Sequence, residues 1–239
     1  MAETDAIFDE LARQHAQAKD DPTVLRISMD TKATVAIGPF SRGGRTRLDV
    51  KAADHDFKPD ATLSPVGIFL PDYGETYLYF TTSKVTSDCI IDCLDHFWHT
   101  VQQRFPQVTT LLINLDNGPE NHSRRTQFIK RIVDFVDTFH LTVQLAYYPP
   151  YHSKYNPIER VWGGLEQHWN GSLLDTIDAA LNFARTLVWR GNHPLVQMLT
   201  KTYHTGVRLS QQAMQHLEQR LQRLPTLPKW FVRVSPLPV

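Results

Sequence analysis

The spacing of apolar residues changes several times along the chain, and each change marks a new element. Leu25, Ile27 and Met29 alternate with Arg26, Ser28 and Asp30, the period of two that predicts a strand in Leu25–Ile37. Two more strand signals, Pro65–Leu70 and Thr76–Thr81, flank Pro71–Glu75, whose sequence PDYGE reads as a hairpin turn. From Thr86 the spacing lengthens. Ile90, Leu94, Phe97 and Val101 predict a helix that ends before Pro106. Leu111–Leu115 is an apolar run of strand length. Phe128, Ile132, Phe135, Val136 and Phe139 outline a second amphipathic helix, and Thr142–Tyr147 a fifth strand. Pro149 and Pro150 break the chain. A third helix is expected over 156–169, with Asn156 as N-cap and Pro157 at its first helical position, and a fourth over Leu174–Trp189. The signals are weaker for a short exposed helix within residues 1–23, before a turn at Pro22, and for a helix over Ser210–Leu224. Residues 38–62 carry Gly38, Pro39, Gly43, Gly44 and Pro59 among many charges and read as an irregular excursion.

Strands joined by short links pair antiparallel, and strand–helix–strand units close as right-handed parallel crossovers. The expected fold is therefore α/β: a mixed five-stranded sheet, three antiparallel strands followed by parallel ones, with helices on both faces. The expected organisation is a helical lead-in over 1–23, the α/β domain over 24–190 and a helical or extended tail over 191–239. No internal repeat or low-complexity segment interrupts it.

Composition narrows the function classes. The 239 residues carry 25 Lys+Arg and 25 Asp+Glu, which excludes a polycationic nucleic-acid arm but not a local basic surface. A 41% hydrophobic and 10% aromatic content suffices for a packed core. No apolar run has membrane-spanning length, and the first residues, MAETDAIFDE, are acidic where a signal peptide is basic and then apolar. Cys89 and Cys93 cannot supply a disulfide framework. These features predict a cytoplasmic protein with no membrane partner and no nucleotide cofactor.

Three carboxylates carry the candidate chemistry. Asp30 stands near the end of an apolar strand, either on its solvent face or at a site. Asp116 follows a predicted central strand. Its Asp-Asn-Gly is also an ordinary turn, but a right-handed crossover can set this strand beside the first, so that both Asp residues emerge at one sheet end. Glu159 lies in the first turn of the third helix, where a negative charge is in any case favoured. Carboxylates brought together repel one another unless hard cations such as Mg²⁺ or Mn²⁺ neutralise them. Two such ions can activate a water or a 3′-hydroxyl and stabilise the leaving oxygen of a phosphodiester.

The motifs around these residues resemble those of ribonuclease-H-like DDE transposases and integrases. DNGPEN at 116–121 is similar to the second-Asp motif of many of them. PPYHSKYNPIERVWGGLE at 149–166 resembles the PPYSPDLNPIExxWxxLK segment of mariner-type and related insertion-sequence transposases. MDTK at 29–32, IGPFSRGGRTR at 37–47 and DHDF at 54–57 are most similar to the Rhodopirellula-type transposase DDE domain. His-Ser-Lys at 152–154 departs from the mariner-type Ser-Pro-Asp and agrees with the insertion-sequence branch. The resemblance covers about residues 24–190. It implies a ribonuclease-H-like fold and a DNA transposase catalytic domain that cleaves and joins strands at insertion-sequence ends. It makes Asp30, Asp116 and Glu159 the catalytic residues and the ligands of Mg²⁺ or Mn²⁺, as two ions. It further implies DNA partners (element ends and target), self-association on DNA, and a place on the nucleoid.

Cations near these motifs are the expected phosphate contacts: Lys154 and His152 beside the third carboxylate, Lys32 two residues after the first, and Arg124 and Arg125 ahead of the second helix. Lys130 and Arg131 extend that track, and Arg42, Arg45 and Arg47 form another basic group. The stretch from Lys201 has six bases against Glu218 alone and reads as a DNA arm or a solvated face. Cys89, Cys93, His96 and His99 have zinc-like intervals, but one straight helix cannot wrap four ligands around an ion, and Cys93 borders the apolar stripe.

Two other readings remain open: a non-catalytic remnant that binds DNA or another transposase subunit, and a ribonuclease-H-like nuclease. Only 29 residues precede Asp30, too few for the helix-turn-helix region that usually reads element ends. Mainly nonspecific DNA binding is therefore expected.

Overall fold

A computed structural model describes residues 2–40 and 58–237. The chain begins with helix α1 (Ala2–Asp20). Its Ile7, Leu11, Gln14 and Ala18 recur every three or four residues and are buried. The first helix is therefore a long packed element, where a short exposed one was expected. Its charges lie on the outer face and had masked the narrow apolar stripe.

Strand β1 (Val24–Thr31) comes next, followed by the three-residue β2 (Val35–Ile37). The sequence pattern had joined these as one strand. The ladder breaks between them, and β2 pairs with the start of β3 (Ala61–Leu70). β4 (Glu75–Thr81) completes the hairpin around Gly74, whose φ of 69° suits its tight turn. Helix α2 (Ser87–Val101) starts where the Thr86 side chain accepts from the Cys89 amide. β5 (Thr110–Leu115), α3 (Thr126–Phe139), β6 (Thr142–Tyr147) and α4 (Ile158–Trp169) follow at the expected places. Helix α5 (Ile177–Thr186) is shorter than the 174–189 pattern, because Thr176 caps it and Leu174 is drawn into a bridge with Gly38.

Beyond residue 190 the chain adds β7 (Leu195–Leu199), α6 (Gln211–Glu218), β8 (Leu221–Arg223) and β9 (Phe231–Val234). The last predicted helix thus ends at Glu218, and 221–223 become strand. Arg220 and Arg223 explain the change. Arg220 pairs with Asp137 and donates to the Ser235 carbonyl, while Arg223 donates to the carbonyls of Ser123 and Pro228.

The sheet runs β7-β4-β3-β1-β5-β6-β9-β8, with β2 attached to β3. Its centre, β4-β3-β1-β5-β6, consists of the five strands expected. β3 is antiparallel to β1 and β4, while β5 and β6 run parallel to β1. Apart from β2, which branches off the middle of the sheet, the added strands β7, β8 and β9 are short and lie towards the sheet edges, where periodicity is faint.

The two faces of β1 explain the layers. Leu25, Ile27 and Met29 join the large core that also contains α2 and α3. Ser28 and Asp30 point the opposite way, to α4. α4 and α5 close a second core over β2, β3 and β4 through Trp162, Leu165, Trp169 and Leu181.

Candidate active site

The pairing of β1 with β5 runs from Val24–Thr110 to Ser28–Asn114. Two residues further along, Asp30 stands near the end of β1 and Asp116 directly after the end of β5. Side chains alternate along a strand, so equal offsets from a parallel pair bring both carboxylates to one sheet end. This is the carboxyl end of the parallel strands, where open α/β sheets bind ligands.

Helix α4 brings the third carboxylate. Its approach is set by a buried cluster rather than by a helix cap. Asn156 is completely buried, so the N-cap role expected of it gives way to a tether. Its side-chain oxygen accepts from Ser28 Oγ at 2.5 Å, and its amide donates to the Met29 carbonyl at 3.2 Å. Ser28 Oγ in turn accepts from the Ile158 amide at 3.0 Å. One turn later Trp162 Nε1 donates to Asp30 Oδ2 at 3.1 Å. Glu159 lies between these anchors, in the first turn of α4.

Gly67 permits this contact. It pairs with Asp30 across the sheet, and a Cβ there would stand 2.6 Å from the Trp162 ring and 2.9 Å from Ile158. Asp116 has its own support. Asn121 Nδ2 donates to Asp116 Oδ1 at 2.8 Å, and Tyr147 Oη holds the Asn121 carbonyl at 2.7 Å. Gly118 keeps the turn close, since a Cβ there would meet both side chains at 3.2–3.3 Å.

Asp30 is 6% exposed. Burial, then the charge of Asp116, then that of Glu159, push its carboxyl up to about 8. The Thr31 amide and the Trp162 N–H oppose the shift. Among the described residues, no three His, Cys, Asp or Glu side chains are already gathered tightly enough to share an ion. The donor chemistry nevertheless fits a hard divalent cation, because all three groups are oxygen donors and two of them disfavour the ionisation of the buried third.

Asp116 stands between two concavities. One is a cleft of about 760 Å³ lined by hydroxyls, among them Thr31, Thr34, Ser64 and Thr82, with Lys32 and Lys84 on its walls. The other is a crevice of about 180 Å³ between Asp116 and the Pro149–Tyr151 turn.

The predicted phosphate contacts divide. Lys154 is exposed, with its ammonium over the Tyr155 ring. His152 is half-buried between Phe8 and Tyr155, and its Nδ1 lies 2.7 Å from the Pro150 carbonyl. The Lys32 ammonium lies 2.9 Å from Glu166. Arg124 is exposed, whereas Arg125 pairs with Glu120 at 3.3 Å. The track through Lys130 and Arg131 is neutralised. Lys130 pairs with Asp134, and Arg131 is clamped by Asp88, Asp92 and Asp95 between α3 and α2. In the tail, Lys201 and Arg220 are tied to Asp92 and Asp137, while Arg223 pairs with Glu218 within the tail and donates to the Ser123 carbonyl, so these three bases fasten the tail to the domain. Arg42, Arg45, Arg47 and the 54–57 motif lie outside the described residues. Cys89 and Cys93 are buried a turn apart on α2, and His96 and His99 pair with Tyr79 and Phe139.

Four residues at this end had not been singled out by sequence. Ser28, Gly67 and Lys84 lack a local signal, since their partners or neighbours at the site are far along the chain. Tyr151 sat in a recognised motif, but only its exposure in the fold marks it.

The central five strands and the helices packed on them form a ribonuclease-H-like fold. Solved structures agree. The chain is similar to a Mos1 transposase paired-end complex with left transposon end (12% identity, TM-score 0.50), covering 76% of this chain and 52% of that one. It is also similar to a Mos1 mariner paired-end complex with Mn (9%, 0.51), covering 76% and 53%, and to a Mos1 strand transfer complex (10%, 0.50), covering 77% and 52%. The match thus spans about half the length of those transposases, and at such identities the likeness is one of fold. No curated protein matches the sequence. The profile of the Rhodopirellula transposase DDE domain matches residues 1–236, and the chain belongs to that family.

Proposed function

We propose that this chain is the catalytic domain of a DNA transposase, which cleaves phosphodiesters at insertion-sequence ends and transfers the freed strands to target DNA. The observation that carries this reading is the anchoring of α4 to β1 by Ser28, Asn156 and the Trp162–Asp30 bond. It brings the Glu159 helix start to the sheet end shared by Asp30 and Asp116. The family membership supports it.

Asp30, Asp116 and Glu159 would hold Mg²⁺ or Mn²⁺, as two ions. Bound there, the metal supplies a polarised nucleophile and stabilises the leaving oxygen. The chain's own work is positional. Trp162 and the Thr31 amide orient the Asp30 carboxylate. Asn121 holds one oxygen of Asp116. The hydroxyl-lined cleft and its lysines are suited to a sugar–phosphate backbone, because hydroxyls, ammonium groups and amides make most contacts to phosphate. Lys154 and Arg124, both exposed, are further candidates for phosphate contacts. Self-association on paired DNA ends belongs to the same proposal.

The test is cleavage and Mn²⁺ binding by the wild type and by Asp116→Ala. Wild-type cleavage of element-end DNA that is lost in Asp116→Ala, with DNA binding kept, supports the assignment. Cleavage retained in Asp116→Ala sinks it. Binding of DNA by a wild type that takes up no Mn²⁺ even on DNA favours the non-catalytic remnant.

A further inference from the structure

Tyr151 is the most exposed large hydrophobic side chain among the described residues, at 100%. Its backbone is also unusual, with a φ of 64°. The His152 amide bonds the Pro149 carbonyl at 3.1 Å, so Tyr151 occupies the third position of a four-residue turn. A positive φ at that position ordinarily selects Gly or Asn. Here the fold holds an aromatic residue in a costly conformation and leaves its ring without a packing partner, an outlier of the kind that points to function.

The position supplies the ligand class. Tyr151 borders the crevice of about 180 Å³ whose opposite wall is Asp116 and Asn117. That space suits a single planar ring system. Pro149 and Pro150 give it flat apolar walls with no N–H to satisfy. Half-exposed Tyr155 and the Lys154 ammonium lie close by, so cation and aromatic surface occur together. A protein partner would call for a broader apolar surface, whereas an aromatic ring beside a cation and a carboxylate site suits a nucleobase next to a phosphodiester.

We propose that Tyr151 stacks on an unpaired DNA base adjoining the scissile phosphate, with the backbone on one side of that base continuing into the hydroxyl-lined cleft. This inference rests on the proposed reading of the chain as acting on DNA. It adds that the substrate is unpaired beside the cut. The turn holds the ring in place before DNA arrives, so little side-chain freedom is lost on stacking.

The experiment uses the full chain and a short DNA duplex with an unpaired single-stranded end carrying 2-aminopurine. The same duplex with a blunt end is the control. Wild type and Tyr151→Phe should bind the unpaired end and quench the probe. Tyr151→Ala should bind it roughly tenfold more weakly, within the range of one lost base–aromatic stack, without quenching and with blunt-end affinity unchanged. Equal affinity and equal quenching in Tyr151→Ala overturn this inference while leaving the DNA reading intact. A wild type that binds neither duplex overturns both. Tyr151→Gly, which fits the backbone and removes the ring, guards against misfolding. It should match Tyr151→Ala in binding while unfolding at no lower temperature than wild type.

Discussion

Ser28 and Asn156 are 128 positions apart and share a buried hydrogen bond of 2.5 Å. It joins the strand that carries Asp30 to the segment that aims Glu159, so one polar contact sets the relation between two proposed metal ligands. Asn156→Ala leaves the Met29 carbonyl unpaired in the core. It should cost about 2–3 kcal/mol of stability by chemical denaturation. Asn156→Asp should cost more, because a carboxylate cannot donate to that carbonyl and sits buried without a counter-charge. A double-mutant cycle with Ser28→Ala tests the link, and additive losses would show that the two side chains do not act as a unit.

Gly67 and Trp162 give a second test at the same site. Gly67→Ala places a methyl 2.6 Å from the indole ring, so the ring must leave its seat over β3. The expected loss is about 2–3 kcal/mol, at the upper end for overpacking. Trp162→Phe keeps most of the packing and removes only the bond to Asp30. It should lower stability by about 1 kcal/mol and weaken Mn²⁺ binding in calorimetry. Unchanged Mn²⁺ affinity would detach Trp162 from the metal site.

Arg131 is a structural group by its contacts. It bridges Asp88, Asp92 and Asp95, with under a fifth of its side chain exposed. Arg131→Met should destabilise the fold by about 3 kcal/mol near pH 7, since three acids lose their shared cation. Asp92 is pushed up by burial but held below the ordinary carboxylate range by Lys201 and Arg131. Its ionised form therefore stabilises the fold above the unfolded value, and that contribution fades as pH falls through its lowered pKa. The gap between wild type and Arg131→Met should narrow below about pH 4. In a salt titration of DNA binding, Arg131→Met should keep the wild-type slope, and Lys84→Ala should flatten it by about one unit.

His15, on α1, supplies a pH dependence of its own. Burial, and then the charge of Arg26, hold its pKa down to about 4 from 6.5, and its Nε2 has no partner. The native state therefore resists a proton that the unfolded chain takes up below pH 6.5. Stability is complete above that value and falls as pH drops towards 4. Between pH 7 and pH 5 the wild type should lose about 2 kcal/mol through this group. His15→Gln should lose correspondingly less over that interval, as read from denaturant midpoints at the two pH values.

His140 ends α3 with a φ of 53°, at an exposed position. A left-handed residue after a helix favours glycine. His140→Gly should raise stability by about 0.5–1 kcal/mol, seen as a higher melting temperature without change in DNA affinity.

Local spacing alone determined the central fold. Alternation in β1 and the helical stripes of α2, α3 and α4 reflect burial of one face, and burial of one face is written residue by residue. The order of these elements, with the handedness of parallel crossovers, allows Asp30 and Asp116 to share one sheet end, and the pairing of β1 with β5 realises that arrangement. The family motifs marked Glu159 in the same way. Tertiary structure decided what depends on distant partners. β7, β8 and β9 are short strands towards the sheet edges, completed by neighbours far away in the chain. Asn156 could be read as a helix cap because a cap is local. It became a tether because Ser28 and Met29 arrive from another strand. Arg125 and Arg131 looked like a phosphate track until the fold set Glu120 and the acids of α2 against them. Charge and polarity in a sequence say what a side chain can pair with; only packing says which partner comes within reach.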